Sequence, residues 1–329
     1  MAPLVIWAVT DGRAGIQSQA LGLAEAVARQ RDADIVIKRI AWPRWMKRVP
    51  SACNIAPLQL LDQSSDAISA PWPDLWIGNG RAAIPLSIGL RKWSAAHTFV
   101  VQIQDPLRAV KRFDLVLPPT HDELSGANVF PITGTPHRVT AQCLAEHYAA
   151  FADRTEAWPC PRVVVLIGGK SRAFDLSPKR ARTLADQIAA AVATSGGSLF
   201  LTFSRRTPDA AKAILTERLS RLPGLIWDGE GENPYFAFLG AADYILVTED
   251  SANMPAEAAA TGKPVYLLKM DGAQARKQRF HAELSSMGIS RPFVGVLETW
   301  SYPPLRETER AAAEILRRMD GGRGIYPSP

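Results

Sequence analysis

Apolar runs alternate with helix-like segments along the first half of the chain. The first run is followed by two glycines, at positions 12 and 15, and then by an Ala-rich stretch that reaches residue 29. The strand-like runs cover residues 4–9, 35–40, 73–80, 98–106 and 113–119. Because strands that alternate with helices are usually joined by helical crossovers, this pattern predicts a parallel sheet wrapped by helices.

The same alternation restarts in the second half, after a stretch with two prolines around Cys160. Strands are predicted at 162–169, 198–204, 224–229, 243–250 and 263–268, with helices at 177–194, 208–222, 233–240 and 251–261. We therefore expect an α/β fold of two Rossmann-like domains whose parallel sheets face a cleft. The expected bounds are 1–155 for the N-terminal domain, 156–305 for the C-terminal domain, and 306–329 for a helix and tail that can pack back on the N-terminal domain.

Composition removes several classes of protein. Of the 329 residues 47% are apolar and 21% are charged, which is typical of a globular protein. No apolar run approaches the roughly 18 residues of a membrane span, and the N-terminal run lacks the basic residues of a signal peptide. The three cysteines, Cys53, Cys143 and Cys160, form no CxxC pair and are odd in number. We expect a cytoplasmic protein.

Net charge indicates the kind of partner. The chain carries a net charge of +6, which favours anionic ligands such as phosphates but is not the concentrated basic stripe of a nucleic-acid-binding protein. Residues 35–61 contain no acidic residue, and the stretch from Lys38 to Arg48 alternates basic residues with Trp42 and Trp45. This stretch is either an anionic-membrane surface or a solvated loop with one tryptophan in the core.

Paired glycines follow the first strand of the second half. In the sequence VVVLIGGKS, Gly168 and Gly169 let the backbone approach a phosphate, and Lys170 can add a positive charge beside Ser171. The Walker pattern GxxxxGK[ST] is absent. An ordinary strand-end turn explains the same residues.

A second polar segment follows the strand predicted at 243–250. Ser251 or Asn253 lies where a helix N-cap is expected, and Pro255 occupies an early helical position. The amino end of a helix suits a diphosphate, and Glu257, one turn into the helix, can accept hydrogen bonds from two ribose hydroxyls. The alternative is a capped helix without a ligand.

The segment 232–268 resembles the donor-site region of GT-B glycosyltransferases, such as the peptidoglycan N-acetylglucosaminyltransferase. That resemblance implies that the Gly-Gly loop and the helix amino end hold a diphosphate, that Glu257 holds the ribose, and that residues 227–234 border the nucleobase. The residues that the resemblance assigns are Gly168, Gly169, Ser251, Ala252, Asn253, Met254 and Glu257. The predicted nucleotide-sugar site also includes the neighbouring strand-end residues Lys170, Ser171, Ser204, Arg205, Glu249 and Asp250.

A second resemblance covers nearly the whole chain. The motifs TDGRAGIQSQALGLAEA, VQIQDP, FDLVLPPTHDE, GGKS, ENPYFAFL, TEDSANMPAEA, RFHAEL and ETWSYPPLRETER occur in an order similar to that of the plant mitochondrial-fission factors (the "elongated mitochondria" family) and their bacterial relatives. The plant members are described as adaptors for a dynamin-related protein, whereas the bacterial members resemble sugar transferases. The resemblance therefore implies two alternative functions.

The catalytic base is expected in the N-terminal half. Asp11 lies in the first strand-to-helix loop, where several GT-B enzymes place a catalytic His, Asp or Glu, and Asp105 also ends a strand. A third predicted strand, at 113–119, is followed by the cluster His121, Asp122 and Glu123. Asp11 is the first choice of base and Asp105 the second. The alternative is that both aspartates order their own turns.

Neither a metal nor a cofactor is expected. The five histidines have no ligand spacing such as HxxxH, and GT-B enzymes generally bind the donor diphosphate through backbone and basic groups. The basic side chains considered for that charge are Lys170, Arg205, Arg206, Lys277 and Arg279.

The sequence therefore predicts a glycosyltransferase that moves a sugar from a nucleotide-diphosphate donor, a UDP-sugar in the first place, to an envelope glycolipid or polysaccharide. Such a protein is expected in the cytoplasm, peripheral at the inner membrane if the basic stretch binds lipid. The alternative is a non-catalytic adaptor of the same fold. A Rossmann epimerase or dehydrogenase is disfavoured, because TDGRAG replaces GxGxxG after the first strand and no Tyr-xxx-Lys pair is apparent.

Overall fold

The chain forms two compact units in the computed structural model. The structure describes residues 2–48 and 56–321, without the side chains of Lys47, Arg48 and Arg108. The first unit consists of Met1–Arg138 together with Arg306–Pro329, and the second consists of Val139–Leu305. The chain thus enters the second unit at Val139, earlier than the boundary at residue 155 that the sequence suggested. It returns to the first unit at Arg306.

A five-stranded parallel sheet forms the centre of the first unit. Its strands are β1 (Leu4–Thr10), β2 (Ala33–Arg39), β3 (Leu75–Asn79), β4 (Phe99–Ile103) and β5 (Leu115–Leu117). They are arranged in the order β2-β1-β3-β4-β5, and every pair runs parallel. Helix α1 (Ala14–Ala28) joins β1 to β2, and α2 (Gly80–Trp93) joins β3 to β4. Short 3-10 turns lie at Arg44–Arg48, Leu107–Arg112 and Thr120–Asp122.

A six-stranded parallel sheet forms the centre of the second unit, in the order β13-β11-β10-β6-β8-β9. Its strands are β6 (Arg162–Ile167), β8 (Ser198–Phe203), β9 (Gly224–Ile226), β10 (Tyr244–Thr248), β11 (Val265–Leu268) and β13 (Ser290–Pro292), while β7 (Phe174–Asp175) and β12 (Asp271–Gly272) pair as a small antiparallel ribbon. The helices are α3 (Ala141–Ala150), α4 (Ala152–Thr155), α5 (Pro178–Ser195), α6 (Asp209–Leu219), α7 (Tyr235–Ala241), α8 (Asn253–Ala259) and α9 (Ala275–Ser286).

The last helix, α10 (Glu307–Asp320), belongs to the first unit and packs on α1. Its buried side chains include Ala312 and Ile315, which join the same core as Leu23 of α1. Glu307 and Glu309 lie in its first turn and Arg317 and Arg318 in its last, the arrangement that the helix dipole favours. The C-terminal helix is therefore a structural part of the first unit.

The inner strands are buried on both faces, which explains their continuous apolar runs. All five residues of β3 and of β4 are buried, and so are the last five of β6. Hydrophobic side chains lie on both faces of each sheet, and in the second unit Val165 and Val164 point into different clusters because successive strand residues alternate in direction.

The structure confirms the predicted α/β class with two parallel sheets. Helix α9 and strand β13 lie beyond the predicted elements, and α8 is shorter than the predicted helix over 251–261. Within the described residues, no helix combines the length and apolar character needed to cross a membrane.

Candidate functional site

The carboxyl ends of β6 and β10 lie side by side at the centre of the second sheet. The register pairs Leu166 with Val247. From β6 the chain continues through α5 to β8 on one side, whereas from β10 it continues through α8 to β11 on the other. Such a reversal of direction opens a crevice between the two loops, where α/β sheets bind ligands. The loops that begin at Gly168 and Glu249 meet at this position.

Asp250 connects the loops that follow β6, β8 and β10. Its side chain is fully buried. Oδ1 accepts a hydrogen bond from the Thr248 hydroxyl at 2.8 Å, and Oδ2 accepts one from the Gly169 amide at 3.1 Å. Arg206 Nη2 lies 3.0 Å from Oδ2 and forms an ion pair. Asp250 therefore holds three loops together and is not itself exposed to a ligand.

The two glycines are required by packing inside the protein. A Cβ atom at Gly168 would lie 1.9 Å from Asp250 Oδ1, and one at Gly169 would lie 2.1 Å from the carbonyl group of Arg206. Real Cβ atoms do not approach so closely. The close approach that the sequence suggested for a phosphate is thus made by Asp250 and Arg206.

The main-chain amides of this loop are already bonded within the protein. Gly168 N donates to Thr248 Oγ1 at 2.7 Å, and Gly169 N donates to Asp250. Lys170 N and Ser171 N donate to the carbonyl oxygens of Arg206 and Phe174, each at 2.9 Å. A diphosphate could bind these amides only by displacing existing hydrogen bonds.

The predicted basic side chains differ in their surroundings. Lys170 Nζ lies 2.9 Å from Asp175 Oδ2, and its side chain is 69% exposed. Arg205 is exposed, whereas Arg206 is directed to Asp250. Ser204 shapes this loop, because its hydroxyl accepts the Arg206 amide at 3.1 Å.

Glu257 lies one turn into α8 and is only 7% exposed. The Tyr235 hydroxyl, from the start of α7, donates to its Oε2 at 2.5 Å. Among the described residues no hydrogen bond reaches Oε1. Burial raises the pKa of Glu257 to about 7, and the Tyr235 hydrogen bond partly opposes that rise. Tyr235 belongs to the ENPYFAFL motif, but sequence reasoning gave it no role in the site.

The start of α8 differs from the prediction of Ser251 or Asn253 as the N-cap, because the N-cap is Ala252, whose side chain makes no capping hydrogen bond. The helix begins at Asn253, and the Ser251 hydroxyl accepts a hydrogen bond from the Met254 amide at 3.3 Å. Ala252, Asn253 and Met254 are half-buried at this helix end. These three residues form the amino end of the helix that follows β10.

Helix α9 adds two titratable groups that contact the same loop. Lys277 Nζ donates to the main-chain oxygen of Asp250, and His281 Nε2 lies 2.9 Å from the Glu249 carbonyl oxygen. Because a carbonyl only accepts, the proton of a neutral His281 lies on Nε2. Burial lowers the pKa of both groups. Glu249 in turn accepts the Met270 amide through Oε1 at 2.8 Å.

The two candidate catalytic aspartates lie in turns of the first unit. Asp11 follows β1, where its Oδ1 accepts the Arg13 amide at 3.2 Å and its Oδ2 pairs with the Arg13 guanidinium at 2.7 Å. Asp105 follows β4, and its Oδ1 accepts the Leu107 amide at 2.7 Å. Strand β3 lies between β1 and β4, which places the two strands about 10 Å apart. Both aspartates thus order their turns, as the alternative interpretation expected.

Carboxamide side chains occupy the sheet edge between these aspartates. Asn79 Nδ2 donates to the Ile16 carbonyl oxygen at 2.8 Å and to Gln19 Oε1 at 3.0 Å, and Gln104 Nε2 donates to the same Gln19 oxygen at 3.2 Å. Gln104 and Leu107 have φ angles of 71° and 60°, so the loop around Asp105 is strained. Sequence reasoning did not single out these amides.

The remaining predicted features are only partly available to a ligand. Lys38 Nζ lies 4.7 Å from the Trp7 ring centroid and donates to the Ala67 carbonyl oxygen, while the Trp42 indole donates to the Ala82 carbonyl oxygen. Trp45 is 58% exposed. His121 is buried and lies 3.7 Å from Asp122. The described residues contain no cluster of three potential metal ligands.

Sequence comparison relates most of the chain to one family. A family model described as "Mitochondrial fission ELM1" matches residues 14–319. The chain belongs to the mitochondrial fission ELM1 family. "Mitochondrial fission protein ELM1" of Arabidopsis thaliana is 32% identical over 274 residues, which cover 75% of this chain and 64% of the plant protein. This ELM1-family chain thus spans less than two thirds of that relative.

A bacterial relative matches the ELM1-family chain over almost its full length. "Uncharacterized protein RP120" of Rickettsia prowazekii (strain Madrid E) is 26% identical over 360 aligned positions, which cover 95% of this chain and 97% of that protein. The family thus includes a bacterial protein of similar extent, as the resemblance implied.

Solved structures show the fold of the ELM1-family chain. The UDP-GlcNAc 2-epimerase of Methanocaldococcus jannaschii matches with a TM-score of 0.57 at 13% identity, over 97% of this chain and 100% of that one. The enzyme of Neisseria meningitidis, bound to UDP-GlcNAc, matches with a TM-score of 0.56 at 12% identity and the same coverage. The ELM1-family chain therefore has a GT-B-like fold, which confirms the predicted class.

Proposed function

We propose that this protein is a glycosyltransferase that transfers a sugar from a nucleotide-diphosphate donor, in the first place a UDP-sugar, to an envelope glycolipid or polysaccharide. The observation that carries the proposal is Glu257. This carboxyl is buried at the strand-order reversal of the second unit, one turn into the helix that leaves β10. Carboxylates in such a position can bind the two hydroxyls of a ribose.

The surroundings of Glu257 favour a ligand-binding role over a structural one. A buried carboxyl is costly unless it gains compensating interactions, and the raised pKa of about 7 expresses that cost. Tyr235 fixes one oxygen and leaves the other available to a donor. A hydrophobic residue would fill the same space at lower cost, so the presence of a carboxyl at this position fits a site that is completed by substrate.

The choice of UDP is supported by the fold neighbours. The Neisseria meningitidis enzyme is bound to UDP-GlcNAc, and a second Methanocaldococcus jannaschii structure contains UDP-GlcNAc and UDP. In the proposed reaction negative charge develops on the departing diphosphate, and cationic groups near Asp250 would stabilise it. Asp11 and Asp105 remain the candidates for the base that activates the acceptor hydroxyl.

A non-catalytic adaptor is the second candidate. The observation that favours it is that the amides of residues 168–171 are bonded within the protein, as in a loop that needs no ligand. The name of the Arabidopsis relative refers to mitochondrial fission and to no transferred group. An adaptor would use the surface of the fold and would not depend on Glu257.

Although the fold neighbours are named epimerases, their likeness does not support a dinucleotide-dependent Rossmann epimerase or dehydrogenase. The missing GxGxxG motif argues against a Rossmann epimerase or dehydrogenase, whereas a likeness at 13% identity concerns the fold alone. Analysis of the products formed from a UDP-sugar would distinguish the two activities, because a transferase releases UDP whereas an epimerase keeps UDP attached to the sugar.

The cytoplasmic location and the membrane contact remain part of the proposal. Arg44 and Trp45 are exposed, which suits a peripheral contact with anionic lipid, whereas Lys38 and Trp42 also bond within the protein. The side chains of Lys47 and Arg48 lie outside the described residues. The acceptor class is proposed on the same basis, since a lipid-linked acceptor requires access to a membrane surface.

Calorimetry with UDP, GDP, CDP and ADP tests the proposed function. We expect wild-type protein to bind one of these nucleotides, and Glu257→Gln to weaken that binding by about tenfold or more, because charge-assisted hydrogen bonds to the ribose are lost. Glu217→Gln, on the exposed face of α6, is the matched control and should bind as wild type does. Failure of wild type to bind any of the four nucleotides would refute the donor site.

A further inference from the structure

We propose that Arg206 and Lys277 bind the diphosphate of the donor and that Asp250 is a buried positioning residue that brings these two cations together. This inference rests on the proposed function and assigns one part of its site. It selects Arg206 and Lys277 from the five basic residues considered for this charge, although the site predicted from the sequence included Lys170 and Arg205 instead.

The first step is that the other main candidates are placed differently. Lys170 is paired with Asp175 at 2.9 Å and is largely exposed. Arg205 points to solvent, next to Arg206 in sequence. Arg206 and Lys277 lie 71 positions apart in the chain, yet both contact Asp250, one through Oδ2 and the other through its main-chain oxygen. The two cations thus converge on one residue.

The second step concerns charge. Asp250 is the acidic group that attracts Lys277, while Arg206 and Arg276 repel it, and burial adds to the cost of its charge. Burial first, and then the repulsion from Arg206 and Arg276, lower the pKa of Lys277, whereas the attraction of Asp250 opposes that fall. One carboxylate therefore serves at least two cations, and an anion placed between them would relieve their repulsion.

The third step concerns the direction of α9. Its first turn reads Ala-Arg-Lys-Gln from residue 275, and the side chain of the N-cap residue Gln274 makes no capping hydrogen bond in the described structure. Cations at the amino end of a helix are repelled by the helix dipole, which instead favours an anion. The placement of Lys277 in this turn is thus unfavourable without an anionic partner.

The fourth step is that the Gly-Gly loop has no amide to offer. Its four amides are bonded to Thr248, Asp250, Arg206 and Phe174. Other hydrogen-bond donors at the same crevice must therefore bind the diphosphate in place of these amides. Arg206 is suited to it because half of its side chain is exposed while one nitrogen is fixed on Asp250.

Titration with UDP, uridine and inorganic pyrophosphate tests the assignment. We expect Arg206→Gln and Lys277→Gln each to weaken UDP and pyrophosphate binding by about tenfold or more and to leave uridine binding within about twofold. Glutamine retains a donor for Asp250, so both variants should remain folded, which thermal unfolding would verify. Arg221→Gln and Lys263→Gln, exposed residues just before the amino ends of β9 and β11, are the matched controls and should bind UDP within about twofold of wild type.

The outcomes separate this assignment from the proposed function. Binding of pyrophosphate that is lost in Arg206→Gln, without binding of any nucleotide, would support the cation pair and overturn the donor site. Equal loss in Arg221→Gln or Lys263→Gln, or wild-type UDP affinity in both cation variants, would overturn the pair. Absence of both UDP and pyrophosphate binding in wild type would overturn both. Asp250→Asn should weaken UDP binding less than either cation variant, because it removes an ion pair and no phosphate contact.

Discussion

The two sheets present different chemistry at the points where their strand order reverses. In the second unit, buried Asp250 contacts Arg206 and Lys277, and buried Glu257 lies one turn into α8. In the first unit, the corresponding edge carries the carboxamides of Asn79, Gln19 and Gln104, and its aspartates sit in half-buried turns. Charge is thus held in place by tertiary contacts in one unit and by local turns in the other.

This difference indicates where a charged substrate group would bind. A network of buried charges is costly to build and is usually kept at functional sites, whereas an Asx-type turn needs no ligand. The second unit therefore carries the stronger case for an anionic ligand. The carboxamides of the first unit suit neutral hydroxyl groups, in agreement with the proposed acceptor.

The largest expected difference between the units is in the stability lost when a glycine is replaced by alanine. Gly168→Ala should destabilise the protein by about 3 to 4 kcal/mol, because its Cβ would lie 1.9 Å from Asp250 Oδ1 in a packed interior. Gly12→Ala in the first unit should cost only about 1 kcal/mol, because that glycine has a φ of 76° but the nearest atom to an added Cβ, Arg39 Cδ, would be 4.0 Å away. Urea unfolding of both variants measures the difference, and equal losses would show that the loop after β6 is not tightly packed.

The next difference concerns the aspartates. Asp250→Ala should cost about 3 kcal/mol, because it leaves the Gly169 amide and the Thr248 hydroxyl without their acceptor inside the protein. Asp105→Ala removes one turn hydrogen bond and should cost about 1 kcal/mol or less. Denaturant midpoints of the two variants test this order. A smaller loss for Asp250→Ala than for Asp105→Ala would contradict the role of Asp250.

A third difference lies in how stability changes with pH. The pKa of Glu257 is raised from 4.5 to about 7, so its burial costs nothing below pH 4.5 and the stability of the folded state falls as pH rises through 7. Glu257→Gln should remove this fall, a change on the order of 2 to 3 kcal/mol between pH 5 and pH 8. Free energies of unfolding at both values, for wild type and variant, provide the measurement. If the free energies of unfolding of wild type and variant differ by the same amount at both pH values, Glu257 does not titrate in this range.

The smallest expected effect has the opposite sign and belongs to the first unit. Hydrogen bonds first from Arg317 and then from Arg318 lower the pKa of Glu314 to about 2. Its stabilising contribution is therefore present above pH 4.5 and is lost as pH falls toward 2. Glu314→Gln should cost less than about 1 kcal/mol at pH 7 and nothing at pH 2. The free energy of unfolding of Glu314→Gln and of wild type, measured as the pH is lowered, would show whether Glu314 and Glu257 change stability in opposite directions with pH.

Much of the fold could be predicted from the sequence because it depends on local patterns. The inner strands are buried on both faces and read as continuous apolar runs, so strands such as β3 and β6 are confirmed within a few residues. The position of Glu257 follows from the same reasoning, since it lies one turn after a strand end. Helix α9 has a weak apolar pattern, with Phe280, His281 and Leu284 as its buried residues, and was not predicted.

The contacts inside the site could not be predicted in the same way. Tyr235 and Glu257 are 22 positions apart, and Lys277 reaches Asp250 across 27 positions, so no local pattern links them. The sequence predicted a glycine turn after β6, but the packing that requires Gly168 involves the side chain of Asp250, which only the tertiary structure brings to it. The RFHAEL motif contains His281 and was the available signal for α9.

A crystal structure of the protein soaked with UDP tests the central claim most directly. We expect the ribose within hydrogen-bond distance of Glu257 Oε1 and the phosphates between Arg206 and Lys277, with Tyr235 still bonded to Oε2. UDP bound elsewhere, or an empty crevice at a UDP concentration that saturates binding in solution, would contradict the nucleotide site.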